Sequence, residues 1–66
     1  MLKEYDVVRL MRDLDDNLRA GSVGTILIVY PSDPPEYEVE FVDDDGDSIG
    51  VRTVPGANLE EVGERK

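Results

Sequence analysis

The sequence predicts an all-β fold built as one small domain, and three observations carry that prediction. At residues 36–42 the alternation is strict, with Tyr37, Val39 and Phe41 pointing one way and Glu36, Glu38 and Glu40 the other. Asp45-Gly46 follows as a hairpin signal, because such a turn requires positive φ. An apolar run at 23–30 is bounded by Gly21 and Gly24 at its start and by three prolines within 31–35 at its end.

The remaining elements are short. Residues 5–11 read as a first strand, in which Val8 and Leu10 alternate with Arg9. Residues 12–22 are polar; Leu14 and Leu18 stand at i and i+4, but the segment is short and its charges are mixed for a helix. A long loop whose leucines tuck beneath the sheet is the expectation. The 23–30 strand is apolar on both faces, which predicts a central strand that bends and serves two packed sheets. Gly24 is expected where the strand curves or another backbone approaches closely. Residues 48–54 return antiparallel, with Ile49, Val51 and Thr53 expected inward. Residues 55–58 form a turn suited to 3₁₀ geometry, residues 59–62 a last strand, and residues 63–66 a frayed tail. Five strands in this order, with a long loop between the first two, match a small SH3-like barrel over residues 1–62. Closure of that kind hides sheet edges.

Length and composition narrow the function. A chain of 66 residues buries only about 60% of its unfolded surface, so each core residue counts. The sequence holds no cysteine and no histidine, which excludes disulfide staples and a Cys/His zinc site. Sixteen acids against seven bases give a formal charge of −9. Nucleic-acid binding needs a basic footprint and an anionic membrane repels such a chain, so neither is an expected partner. A basic protein partner suits the charge. The start has no apolar stretch of the kind a secretory leader carries, and the run ending at Tyr30 is too short to span a bilayer, so a cytoplasmic location is expected.

Residues 5–8 (Tyr-Asp-Val-Val), the Gly21-Ser22-Val23-Gly24-Thr25-Ile26 segment, Tyr37-Glu38-Val39-Glu40-Phe41 and Gly46 together resemble an uncharacterised bacterial family of small proteins catalogued as a domain of unknown function. The similarity covers roughly residues 3–62 and implies an SH3-like barrel with no established activity or site residues. It also suits an antitoxin or immunity role beside a small toxin. The Gly-x-x-Gly start of the second strand is similar to RNA-binding SH3-like modules, but those carry basic loops, and no Lys or Arg occurs between Ala20 and Val51. A polyproline-binding groove needs more aromatic residues than Tyr5, Tyr30, Tyr37 and Phe41, with no tryptophan.

The chemistry available is sparse. Nucleophilic catalysis lacks a histidine or cysteine, Ser22, Ser32 and Ser48 fall at turns or strand ends, and Lys3 and Lys66 lie near the termini. Paired carboxylates acting as acid and base need a cleft that a domain of this size does not offer. The 43–47 run fails the EF-hand register, because Gly46 at position six puts Phe41 at the first position and Arg52 at the last. No catalytic residue, cofactor or metal site is therefore expected. What remains is acidic clustering: Glu36, Glu38, Glu40, Asp43, Asp44 and Asp45 are the candidate protein-binding residues. With Asp33 and Asp47 they make eight acids and no base. Such a field steers a basic partner; alternatively, the glutamates guard an exposed edge strand against sheet-to-sheet aggregation. A structural or accessory subunit, with an apolar patch around Tyr5, Tyr30 and Leu18, is the other function the residues suit. The oligomeric state is left open.

Overall fold

Five antiparallel strands pair in one open sheet whose order is set by how the first and last strands meet. The structure, a computed structural model, describes residues 2–63. Its strands are β1 (Val7–Leu10), β2 (Val23–Tyr30), β3 (Glu36–Val42), β4 (Ser48–Pro55) and β5 (Leu59–Gly63), with a 3₁₀ turn at Gly56–Asn58. They lie in the order β4-β3-β2-β1-β5. Among the described residues there is no α-helix. Residues 64–66, where the tail is expected to fray, lie outside the described residues, while Gly63 still pairs with Val7.

The first strand is shorter than the alternation predicts. Tyr5 has φ +69°, a left-handed conformation that no strand adopts, and Asp6 closes the turn by accepting the Lys3 backbone N–H at 2.9 Å. Asp6 is buried and so belongs to the architecture. Residues 11–22, between β1 and β2, contain neither strand nor helix. Asp15 organises them: its Oδ1 accepts the backbone N–H groups of Asn17 and Leu18 at 2.8 and 3.0 Å. That Asx-type turn delivers Leu18, which is wholly buried, onto the inner face. Leu18 therefore cannot join an exposed patch with Tyr5 and Tyr30.

One bulge explains why β2 is apolar on both faces. Gly24 and Ile26 face Phe41 and Val39; the pairing then skips Leu27, and Val29 faces Tyr37. The inward positions change from even to odd across the bulge, leaving Ile28 and Tyr30 outward and exposed. The expected pair of packed sheets is thus a single sheet with a bulged strand. Gly24 is where two backbones close up: a Cβ there would lie 2.7 Å from the Glu40 carbonyl oxygen and 2.7 Å from Val39 Cγ1.

The side assigned to β4 is also reversed. Register places Val54, Arg52 and Gly50 opposite Tyr37, Val39 and Phe41, so Val54 is buried whereas Ile49, Val51 and Thr53 are exposed. The physical reason is room and reach. Gly50 leaves space that the Arg52 guanidinium occupies, a Cβ there lying 3.1 Å from Arg52 Nη1. The arginine donates to the Val51 carbonyl at 3.1 Å and to Asp15 Oδ2 at 3.3 Å. Charge at the end of a long stem thus closes one flank of the apolar face.

The core is Val8, Leu10, Leu18, Ile26, Tyr37, Val39, Phe41, Val54 and Leu59, with Leu2, Leu14 and Val29 packed against it. Leu18→Ala is expected to cost about 2–5 kcal/mol, a large share of the stability of a domain this size. Val54→Ala should cost about 2 kcal/mol, and Val51→Ala less than about 1 kcal/mol. Urea denaturation of the three variants checks the order; a Val51 loss as large as that at Val54 would reverse the assigned faces.

Candidate protein-interaction face

The outer face of β2, β3 and β4 is assembled from three cross-strand rows. Thr25, Glu40 and Val51 form one, Ile28, Glu38 and Thr53 the next, and Tyr30, Glu36 and Pro55 the third. Glu36, Glu38 and Glu40 therefore run down the middle of the face, flanked by exposed Ile28, Tyr30 and Val51. β3 lies between β2 and β4, so these glutamates do not guard a sheet edge; the edge strands are β4 and β5. Glu38 is oriented: its Oε1 accepts the Thr53 hydroxyl at 2.7 Å, with the Tyr30 hydroxyl 3.5 Å from the same oxygen.

The face ends at the β3–β4 turn. Asp43 Oδ1 accepts the backbone N–H groups of Asp45 and Asp47 at 2.9 and 3.0 Å, and Gly46 takes φ +86°. This is a hairpin loop in which glycine supplies the one left-handed residue. Asp43 is thus a turn staple as well as a surface charge. Asp44 has no hydrogen-bond or ion-pair partner among the described residues.

Carboxylate oxygens of Asp43, Asp45 and Asp47 lie within 4.8 Å of one another, and all three residues are exposed. Oxygen donors of this kind suit a hard cation, but three carboxylates fall short of the roughly six to eight oxygens calcium takes. One of the three is already bound to the turn backbone. Among the serines, Ser32 donates to the Pro34 carbonyl at 3.0 Å.

Three arginines are engaged elsewhere. Arg9 pairs with Glu60 at 3.1 Å, Arg19 with Asp13 at 3.8 Å and Arg52 with Asp15 at 3.3 Å. None of the eight acids between Asp33 and Asp47 has an ion-pair partner among the described residues. The structure thus brings Glu36, Glu38 and Glu40 together on one face and sets Asp43, Asp44 and Asp45 at its end. Asp13 and Asp15 lie outside the candidate residues that charge clustering picks out, yet their carboxylates hold the 11–22 segment, Asp13 by accepting the Ala20 N–H at 2.7 Å. The Asp-Asp-Asn run at 15–17 is the signal that finds such a turn.

Fold and face together define an all-β domain with an acidic, part-apolar sheet face. The family model described as "Domain of unknown function (DUF4926)" matches residues 4–61, and the chain belongs to that family. No curated protein and no solved structure matches the chain. No helix among the described residues is long and apolar enough to cross a membrane.

Asp15 carries a pH signature. The backbone N–H groups of Asn17 and Leu18, with Arg52 behind them, hold its carboxyl below the ordinary aspartate value. A group whose folded value is depressed contributes stability that is complete above its unfolded value, near pH 4, and is lost as the pH falls through the folded value. Asp15→Ala is expected to melt lower than the parent at pH 7, with the gap narrowing as the pH falls below about 4. Thermal melts across pH 2–7 check this, and a gap independent of pH would rule out the carboxylate as its source.

Proposed function

We propose that this domain is a non-catalytic protein-interaction module that presents the outer face of β2, β3 and β4 to a basic protein. One observation carries the reading: Glu36, Glu38 and Glu40 occupy the centre of that face while Arg9, Arg19 and Arg52 pair with acids elsewhere. A cluster of one sign accelerates encounter with an oppositely charged partner. Exposed Ile28, Tyr30 and Val51 beside it supply apolar area for the bound state. The same charge disfavours nucleic acid and anionic membranes. Neutralising the basic surface of a toxin, as an antitoxin or immunity protein does, is a role that fits this chemistry in a cytoplasmic setting. The strand order, with β5 returning beside β1, supports reading the fold as an SH3-like barrel whose long first loop is the 11–22 segment.

A second reading, an accessory subunit of a larger complex, is favoured by Ile28, Ile49 and Val51, which are each more than two-fifths exposed. Association of this face with its own copy would set like charges against each other.

Fluorescence anisotropy with a labelled octalysine peptide at low and moderate salt tests the first reading. Glu38→Lys/Glu40→Lys is expected to weaken binding at least tenfold. The control Asp16→Lys/Glu61→Lys, with the same change in net charge, should weaken it less than about threefold. Equal losses would mean that net charge alone attracts the peptide and would overturn the assignment of the face.

A further inference from the structure

Where the outer face meets the β3–β4 turn, a shallow depression of about 590 Å³ opens between that turn and residues 20–22. Its volume falls among those that hold small ligands or a few residues of peptide, about 300–1,000 Å³. Val23, Val42 and Ile49 line it with apolar surface, and Asp43 and Asp44 line it with carboxylates. Val23 and Val42 are cross-strand partners in β2 and β3, so the apolar lining belongs to the sheet itself.

Both walls are held by the chain's own hydrogen bonds. On one side the Leu10 N–H donates to the Ser22 carbonyl, and the Gly21 N–H to the Leu10 carbonyl, each at 2.8 Å. Gly21 adds no side chain there, and the space its Cβ would occupy is open. On the other side Asp43 fixes the turn through Asp45 and Asp47. A site with walls already ordered loses little freedom when it is filled. Apolar and anionic lining together match one side-chain chemistry: an aliphatic stem ending in a delocalised cation. Arginine meets it better than lysine, because its guanidinium is weakly hydrated and pairs with carboxylates in a fork.

Building on the acidic-face reading above, we propose that this depression is the anchor site for an arginine in an extended segment of the basic partner. The stem lies on Val23, Val42 and Ile49, and the guanidinium meets Asp44 and the Asp43 carboxylate. The glutamates of β3 then act as the steering field that leads into it.

The test is a titration of ¹⁵N-labelled protein with acetyl-Gly-Gly-Arg-Gly-Gly-amide, followed by amide chemical shifts. The same peptide with norleucine or lysine in place of arginine serves as comparison. Ile49→Ser and Asp44→Asn change the site at two exposed positions outside the core. Arginine peptide is expected to shift the amides of residues 20–23, 42–44 and 49. Each substitution should weaken it about three- to fivefold; the norleucine peptide should not bind and the lysine peptide should bind less tightly. Shifts confined to Glu36, Glu38 and Glu40 would overturn the anchor site while leaving the acidic-face reading intact. Wild-type affinity in both variants would overturn it as well. Absence of both octalysine and arginine-peptide binding would sink the two together.

Discussion

Everything on either side of the sheet is aligned on β3. Its inward residues Tyr37, Val39 and Phe41 meet Val29, Ile26 and Gly24 on one flank and Val54, Arg52 and Gly50 on the other. The close approach at Gly24 keeps that register, since any larger residue would push against the Glu40 carbonyl and the Val39 side chain. Because side chains alternate with period two, fixing three hydrophobic residues inward also fixes three glutamates outward. Core and charged face are therefore one decision made by one strand.

The acids divide into two groups with different work. Asp6, Asp13, Asp15 and Asp43 accept backbone N–H groups and shape turns. Glu36 and Glu40, with Asp44, accept none, and Glu38 takes side-chain hydroxyls alone. Turn-forming carboxylates are satisfied inside the fold and contribute through order. The others accept no backbone N–H and lie on the outer face or at its end. A formal charge of −9 on its own does not distinguish these roles; hydrogen-bond geometry does.

Much of this was legible in the residues. β2 and β3 have the bounds that glycine, proline and alternation predict, and the 3₁₀ turn falls at Gly56–Asn58 within the expected turn. The glutamate row on a single face follows from period two alone. The inward side of β4 was not legible, because Ile49, Val51 and Thr53 look like a buried face and only pairing with β3 shows that Val51 and Thr53 lie opposite Glu40 and Glu38. The bulge at Leu27 was equally hidden: an apolar strand gives no local sign of where its alternation slips. The position of β3 in the interior of the sheet depends on both neighbours, which no single segment encodes. The depression beside Val42 joins residues distant in sequence, so it exists only once the register is set.

Arg52 has a consequence for how the molecule behaves in company. It sits on an outermost strand and folds its guanidinium back onto that strand's own backbone at Val51 while tethering the 11–22 segment through Asp15. A neighbouring molecule trying to extend the sheet along β4 meets a cation folded onto that strand's own backbone. Crowded solutions should thus find this border a poor template for stacking.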